Sequence, residues 1–389
     1  MHSPRRFDLE EILFPLNLND FFENYYLKKS VLVKSTDQMK FVELFSFKEL
    51  NQVLNNNIDN FPTLKLVKEA KPLFFDSPDS VIEHVKNGAS LIIDQLQEYS
   101  ETVRELCSSV SKRLSEPTQV NLYLSQPDIK AFDLHYDTHD VLILQIAGKK
   151  HWRVYDATID NPVFFMKEHG IFPDGGQAYI DMDIEAGDVL YIPRGHWHEA
   201  LATDGLSVHL TLGILSRTGI DFLDFLKEEL ISDSKWRENF LQIEKHDNTH
   251  KTHLEKLKKS LIEFINKDDI LEKYIIKSTV LGKRANPYNF PFQIIDNNQI
   301  EYNSLRYSVY DGLNFFMKEV DGALLLYASK KVIKLSVNAK KIIEVIFQLQ
   351  DFALADLEEA IKKYQTNINR RNLELLIMTL MKNNILYIK

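Results

Sequence analysis

The chain has 389 residues, of which 44% are hydrophobic and 11% aromatic, enough to bury the cores of two or three domains. Its formal net charge of −9 disfavours non-specific binding to nucleic acid, and no apolar run reaches the ~20 residues of a membrane helix. The single cysteine, Cys107, excludes an internal disulfide framework and a multi-cysteine zinc site. Because the first residues also lack the apolar segment of a secretory signal, we expect a cytoplasmic protein.

Helical and extended patterns alternate over residues 8–116. Residues 19–34 predict an amphipathic helix and then a short strand, and residues 77–88 predict a helix with a serine cap and a glycine stop. A strand is predicted at 89–96, and apolar side chains at helical spacing predict another helix at 100–116.

Strand patterns dominate from residue 118 to residue 215. Five segments rich in β-branched or aromatic residues are bounded by Gly, Pro or Asp: 118–125, 139–148, 149–156, 177–193 and 206–215. So many short strands in about 100 residues predict a sandwich or a barrel. We therefore predict a mixed α+β protein whose first domain, residues 1–215, has a barrel core at about 118–215 preceded by N-terminal α/β elements.

The remaining residues predict two further regions. Residues 216–285 are helical and highly charged, and they carry an apolar stripe of Leu254, Leu257, Leu261, Ile262 and Ile265. Such a stripe is typical of a subunit interface or of a solvated helical buttress. Residues 286–389 begin with a linker, and their strand, three helices and closing strand predict a winged-helix domain.

Three residues form a candidate metal site. His135 and Asp137 stand two apart on a predicted strand, so both side chains point to one face. Residues 187–200 contain the pattern G-x5-P-x-G-x2-H, in which a glycine permits the bend that directs His198 inward. This spacing is the second motif of cupin barrels, and His135-x-Asp137 matches the first. A lone His-x-Asp is usually a surface pair, but two imidazoles and one carboxylate on one face are the facial triad of Fe(II) oxygenases.

Lys150 provides a second indication of function. Strand alternation places it with Trp152 and Val154 on one face, so we expect its ammonium group to point inward. A buried ammonium group without an anion is costly. The anion could be a carboxylate of the protein or one of a cosubstrate. A dicarboxylate such as 2-oxoglutarate, bound to iron at one end, would need such a cation at its other end.

Further imidazoles accompany these residues. His209 alternates with Ser207 and Thr211 on the last predicted strand, which favours a position facing the cavity. We expect His139 and His196 to lie at the surface or to support the ligands.

At these residues the sequence resembles the JmjC 2-oxoglutarate oxygenases, and among them the ribosomal oxygenases, which hydroxylate side chains of ribosomal proteins. Residues 135–152, "HYDTHDVLILQIAGKKHW", are similar to the family's iron and cosubstrate segment. The resemblance places His135, Asp137 and His198 on the iron ligands. It places Lys150 on the residue that binds the 5-carboxylate of 2-oxoglutarate.

The resemblance also extends to the strands around the cavity. Residues 120–132, "VNLYLSQPDIKAF", are similar to a family strand that places Asn121 and Tyr123 on the substrate side. Residues 206–214 resemble the strand that closes the pocket, so we assign Thr211 to the cosubstrate and His209 to the substrate. The order of parts implies a double-stranded β-helix of the cupin or JmjC jelly-roll type, then a helical dimerisation region and a winged helix.

The sequence departs from the family pattern at three places. Ala131 replaces an expected glycine, and "SQP" replaces "TPP"; both changes would reshape the mouth through which the substrate enters. Gly213 stands where the resembled proteins carry a hydroxyl residue near the cosubstrate.

The leading hypothesis is a homodimeric oxygenase that uses Fe(II), 2-oxoglutarate and O2 to hydroxylate a side chain of a protein or peptide, of the ribosomal-protein type. One alternative is a tailoring hydroxylase of a ribosomally made peptide captured by the winged helix. Another is a non-catalytic cupin module for regulation or binding. A cupin-type metal isomerase would not need an inward lysine, and N-methyl demethylation begins with the same hydroxylation.

Overall fold

The computed structural model describes residues 7–58, 61–130, 132–167, 176–239, 249–280, 289–292, 294, 305–310, 313–328, 330–364 and 368–388. The chain divides into two compact units, Met1–Ser216 and Arg217–Lys389. Among the helices in these ranges, none combines the length and the apolar character needed to span a membrane.

A large antiparallel sheet forms the frame of the first unit, with ten strands within the described ranges. These are β1 (Val31–Val33), β2 (Leu64–Lys68), β3 (Lys71–Leu73), β4 (Ser90–Ile93), β5 (Thr118–Ser125), β6 (His135–Tyr136), β7 (Asp140–Ala157), β8 (Ile180–Glu185), β9 (Val189–Ile192) and β10 (His196–Ile214). Their order is β1-β9-β7-β10-β5-β4-β2-β3, with β6 paired to β10 and β8 to β7.

Helices cover one face of this sheet. They are α1 (Leu9–Leu13), α2 (Leu18–Asp20), α3 (Phe47–Asn56), α4 (Pro78–Lys86) and α5 (Glu101–Leu114). Each starts where a polar side chain accepts a hydrogen bond from a backbone N–H of the first turn, for example Ser77 before α4 and Ser100 before α5. Leu122, Leu142 and Leu210 lie in the same buried cluster as the apolar side chains of α1 and α5. The alternate residues of these strands therefore face the opposite side, which becomes the interior of the fold.

Two long strands shape that interior. Sequence analysis predicted separate strands at 139–148 and 149–156, but β7 is continuous and bends near Gly148. Gly148 has φ +67°, and a Cβ there would lie 2.3 Å from the carbonyl oxygen of Leu206, so only glycine fits. Strand β10 starts ten residues earlier than predicted and has irregular pairing between Ala202 and His209. The two halves of β7 and β10 pair with each other on either side of these bends.

In its described residues, the second unit begins with three α-helices, which a mixed part follows. The helices are α6 (Gly219–Leu230), α7 (Thr249–Ile265) and α8 (Ile270–Ile275), and the last continues into a π-helical turn, Ile276–Val280. Leu257 is buried and Leu261 packs on the cluster formed with Phe225 and Leu226. Leu254 and Ile262 are exposed. The apolar stripe therefore divides between an inner and an outer side.

The mixed part has two three-stranded antiparallel sheets within the described ranges. Its elements are β11 (Arg306–Val309), β12 (Phe315–Val320), β13 (Ala323–Ala328), β14 (Lys331–Ser336), α9 (Ala339–Leu349), β15 (Asp351–Ala353), α10 (Leu354–Lys362), α11 (Arg370–Lys382) and β16 (Leu386–Ile388). The predicted strand, three helices and closing strand are present as β14, α9, α10, α11 and β16. Sequence analysis missed the meander β12–β14 as a unit and the short β15. Most of the predicted linker at 286–299 lies outside the described residues.

Candidate metal and cosubstrate site

His135, Asp137 and His198 lie together at one end of the interior. Strands β6 and β10 pair His135 directly with His198, and their ring centroids are 4.5 Å apart. Oδ2 of Asp137 is 3.7 Å from Nε2 of His198. Each residue offers one ligand atom, and the three atoms lie within 4.8 Å of one another. The geometry is that of a candidate metal centre with three protein ligands on one side.

The hydrogen bonds of both imidazoles fix which nitrogen faces the centre. Nδ1 of His135 lies 2.7 Å from the carbonyl oxygen of Asp133, and Nδ1 of His198 lies 3.0 Å from that of His196. A carbonyl oxygen can only accept, so both Nδ1 atoms carry the hydrogen. The Nε2 lone pairs are therefore free to bind a cation, as in metal sites whose histidines are oriented by a backbone carbonyl.

The electrostatics of the three residues suit a metal. Burial, and then the proximity of His135, lower the pKa of His198 to about 4. Burial alone would raise the pKa of Asp137, but the imidazoles of His198, His139 and His135 lower it below its ordinary value. At neutral pH the site therefore offers a neutral imidazole and a carboxylate, the protonation states that ligation requires. Two imidazoles and one carboxylate with open positions fit a non-haem Fe(II) centre.

Asp140 positions the loop that carries His198. Its buried carboxylate accepts hydrogen bonds from the hydroxyl of Tyr191 (3.1 Å), the backbone N–H of Arg194 (3.2 Å) and the hydroxyl of Ser216 (3.3 Å). The next backbone N–H, that of Gly195, donates to the carbonyl oxygen of Asp137 at 2.8 Å. Burial raises the pKa of Asp140. Sequence analysis did not predict these hydrogen bonds, because Asp140 looked like one more member of a polar cluster.

Lys150 lies at the other end of the interior. It is 3% exposed, and its Nζ donates to Oγ of Ser125 at 3.2 Å and to Nδ1 of His209 at 3.1 Å. Within the part of the chain that the structure describes, no carboxylate pairs with this ammonium group. Burial lowers the pKa of Lys150 to about 7. Burial and the nearby Lys150 lower the pKa of His209 far below its usual range, so its imidazole is neutral.

Alternation along β7 separates the two neighbouring lysines as predicted. Lys149 forms exposed ion pairs with Asp183 and Glu185 on the outer face. His151 lies on the same outer face, between Asp181 and Asp183. Lys150 alone is turned inward, which leaves a buried cation that the described carboxylates do not neutralise.

A row of rings connects the two ends. The ring of Trp152 is 6.1 Å from that of His198 and 5.7 Å from that of His209. His209 in turn stacks on Tyr123, with centroids 4.9 Å apart and planes 7° from parallel. His209 was assigned to the substrate from the sequence, and the structure places its ring directly beside Lys150.

The remaining predicted residues line the same interior. Asn121 accepts a hydrogen bond from the backbone N–H of Gln95 at 3.0 Å. Thr211 is half-buried and stands opposite Asn121 in the pairing of β10 with β5. Burial raises the pKa of Tyr123, so its hydroxyl stays protonated. Ala131, one of the three departures, lies outside the described residues.

His196 lies apart from the other imidazoles of the candidate site. Its Nδ1 is 2.7 Å from the hydroxyl oxygen of Tyr179. It contributes to the centre through its backbone, because its carbonyl oxygen is the acceptor that orients His198. The expectation that His196 supports a ligand agrees with this contact.

Known proteins resemble this chain in the region that carries the candidate site. A family model described as "JmjC domain" matches residues 93–222. The chain is 30% identical over 219 residues to a bifunctional lysine-specific demethylase and histidyl-hydroxylase NO66 of Dictyostelium discoideum, covering 52% of this chain and 42% of that protein. It is 27% identical over 217 residues to ribosomal oxygenase 1 of Danio rerio, covering 53% and 40%. The chain thus spans less than half the length of these relatives.

Solved structures share the fold over a longer range. The ribosomal oxygenase YcfD of Escherichia coli covers 96% of this chain and 98% of its own, with a TM-score of 0.64 and 18% identity. Another structure of YcfD, with a TM-score of 0.61, is a complex with cobalt and 2-oxoglutarate. Residues 93–222 therefore match the JmjC domain, and over about half of its length the chain is similar to the ribosomal oxygenases.

Proposed function

We propose that the chain is an Fe(II)- and 2-oxoglutarate-dependent oxygenase that hydroxylates a side chain of a protein, of the ribosomal-protein type. The observation that carries the proposal is the pairing of two features in one interior. A triad of two histidines and one aspartate lies at one end, and a buried cation without a described carboxylate partner lies at the other. A dicarboxylate that binds a metal through one end satisfies both.

In this proposal, the triad and Lys150 have different roles. His135, Asp137 and His198 would hold the iron, which with 2-oxoglutarate and O2 supplies the oxidation of a C–H bond to C–OH while 2-oxoglutarate becomes succinate and CO2. Lys150 would donate to the far carboxylate, which supplies the anion that the described residues do not provide. His209 and Ser125 hold the lysine in place through its other hydrogens. Thr211 would border the same molecule.

The aromatic side of the interior supports a role for Asn121 and Tyr123 in substrate positioning. Tyr123 stacks on His209, and the ring of Phe132 lies 6.2 Å from that of Tyr123 and 5.9 Å from that of His135. Phe132 is 37% exposed, so this ring marks the open end of the interior. A protein side chain entering there would reach the metal centre past the rings of Phe132 and His135.

The names of the relatives support a protein substrate. One is a histidyl-hydroxylase and lysine-specific demethylase, and the others are ribosomal oxygenases. We therefore propose that a histidine of a ribosomal protein is the first side chain to test. Demethylation of an N-methyl group is the second, since it starts from the same hydroxylation.

We also propose that the second unit serves assembly and recognition. The exposed part of the stripe on α7 suits a two-fold dimer, and α9 to β16 suit a winged helix. This arrangement, like a cytoplasmic location, follows from the resemblance and from the predicted regions 216–285 and 286–389.

Turnover of 2-oxoglutarate tests the function directly. The purified chain is incubated with Fe(II), 2-oxoglutarate and O2, with and without ribosomal proteins of its source organism, and succinate is measured. The expected result is succinate formation that the ribosomal proteins stimulate, with the gain of one oxygen atom on one of their peptides by mass spectrometry. Asp137→Ala and Lys150→Ala are the matched controls, and Asp183→Ala at an exposed ion pair should behave as wild type. Stimulation only by a small precursor peptide would favour the tailoring alternative, and no succinate under any condition would favour the binding module.

A further inference from the structure

Trp152 carries a buried polar group that no described residue pairs with. Its side chain is 4% exposed, and its indole Nε1–H has no hydrogen-bond partner within the described residues. The other two tryptophans are different. Nε1 of Trp197 donates to Oγ1 of Thr158 at 2.9 Å, and that of Trp236 donates to Oγ of Ser260 at 3.1 Å. An unpaired buried donor lowers stability, so its presence calls for an acceptor that the described chain does not supply.

The location of Trp152 indicates where that acceptor would come from. Trp152 lies two residues after Lys150 on β7, so both side chains face the same interior. Its ring lies between the ring of His198 at the metal end and the ring of His209 at the lysine end. The buried cluster around it, which includes Val154 and Ile184, is apolar and offers no side-chain acceptor.

We propose that Trp152 is a cosubstrate-contacting residue, whose indole N–H donates a hydrogen bond to the carboxylate of 2-oxoglutarate that Lys150 binds. This inference rests on the proposed function and extends it to a second donor. The two donors differ in kind. Lys150 supplies charge, and the indole N–H supplies direction, because it lies in the plane of a ring that packs against the rings of His198 and His209. The carboxylate has two oxygen atoms, so one can face each donor.

The indole resonances of the wild-type protein give a direct test. The chain is labelled with ¹⁵N-tryptophan and loaded with Zn(II), which is diamagnetic, and 2-oxoglutarate is added. Its three tryptophans give three indole N–H signals, which the Trp197→Phe and Trp236→Phe variants assign by elimination. The expected result is a downfield shift and slower solvent exchange of the Trp152 signal, with no change at Trp236. Glutarate, which lacks the keto group, should produce the same shift, since the proposed acceptor is the carboxylate at the lysine end.

Binding affinity gives an independent measurement. Trp152→Phe keeps an aromatic ring but removes the donor, so the Kd for 2-oxoglutarate in the Zn(II) form should rise roughly tenfold or more. Trp236→Phe should bind as wild type. A Trp152 signal that stays in place while wild type binds 2-oxoglutarate through Lys150 would overturn the role of Trp152 and leave the proposed function standing. Failure of wild type to bind 2-oxoglutarate at all would overturn both.

Discussion

The imidazole ring of His139 fills the space beside Gly213. A Cβ on Gly213 would lie 2.8 Å from Cδ2 and 3.0 Å from Nε2 of the His139 ring. Gly213 stands opposite Gln119 and Val141 in the sheet, and His139 comes two residues after Asp137. The glycine that replaces the hydroxyl residue of the resembled proteins is therefore matched by an imidazole from a different segment. Gly213 and His139 thus form one packed pair.

The pair can be tested by a double-mutant cycle. Gly213→Ser should destabilise the chain by ~1–3 kcal/mol, because the added Cβ would lie only 2.8 Å from the His139 ring. The same change in a His139→Ala background should cost much less, since the space is then open. Unfolding free energies of the four proteins measure the coupling. Equal costs in both backgrounds would show that the two positions are independent.

The triad predicts a separation between metal binding and stability. Asp137→Ala removes one of three ligands, so it should abolish turnover and weaken Fe(II) or Co(II) binding while the thermal unfolding midpoint of the metal-free chain is retained. Isothermal titration with Co(II) and a thermal melt are the measurements. Asp183→Ala, at an exposed ion pair with Lys149, is the carboxylate control. Turnover by Asp137→Ala near the wild-type rate would exclude the facial triad.

Lys150 predicts a pH dependence of cosubstrate binding. Only the protonated lysine attracts a carboxylate, and burial lowers its pKa to about 7 in the ligand-free protein. Affinity for 2-oxoglutarate is therefore greatest below pH 7 and should fall as pH rises above it, by at most about tenfold per pH unit. The pKa of His198, about 4, lies outside this window. Kd values in the Co(II) form between pH 7 and pH 9 measure the effect.

Two substitutions separate charge from titration at this position. Lys150→Ala removes the cation and should raise the Kd roughly ten- to a hundred-fold at pH 7. Lys150→Arg keeps a charge that does not titrate in this range, so its binding should be weaker than wild type at pH 7 but nearly independent of pH. A wild-type profile as flat as that of Lys150→Arg would contradict the assignment.

The same lysine predicts a cost in stability when no ligand is bound. Lys150→Met replaces a buried ammonium group by an apolar chain of similar length, so the ligand-free protein should gain ~1–4 kcal/mol at pH 7. Between pH 7 and 10.5 the unfolded lysine holds a proton that the folded one has lost, so wild-type stability should rise with pH there and the gap should narrow. Urea denaturation at several pH values tests this. A less stable Lys150→Met protein would mean that the interior already neutralises the ammonium group.

The division of the apolar stripe on α7 determines which residues can test dimerisation. Leu257 is buried and Leu261 packs on the cluster of Phe225 and Leu226, so charges there would unfold the helices rather than separate subunits. Leu254 and Ile262 are 44% and 59% exposed. Sedimentation of wild type should give about 90 kDa, twice the 45.4 kDa chain, and Leu254→Glu with Ile262→Glu should reduce it to the monomer mass. Wild type that remains monomeric at high concentration would leave α7 as a buttress.

Sequence patterns predicted the orientation of side chains better than the boundaries of strands. The period of two placed Lys150 inside and Lys149 outside, because it holds along any strand. The same analysis ended a strand at Gly148, since a glycine before two lysines has the composition of a turn. The bend there depends on Leu206, nearly 60 residues away in the chain, and no local pattern could reveal it.

Two other features depended on contacts that a sequence does not contain. Asp140 orients the loop of His198 only because Arg194 and Ser216 meet it in space. The stripe on α7 is continuous in the sequence, but its division into buried Leu257 and exposed Ile262 depends on which helices pack beside it. Periodicity identifies an apolar face and leaves open what covers it.

The continuity of β10 has a consequence for which molecules the interior can accept. One strand carries His198 before its irregular stretch and His209 after it, so the gap between the metal end and the lysine end is fixed by the backbone. The residues between Ala202 and Val208 therefore set the distance between the metal end and the lysine end. Inserting or deleting one residue there would reverse the alternation beyond it, turning His209 toward the helices and Leu210 toward the cavity. A change in these residues alone would therefore alter both the distance between the metal end and the lysine end and the surroundings of Lys150.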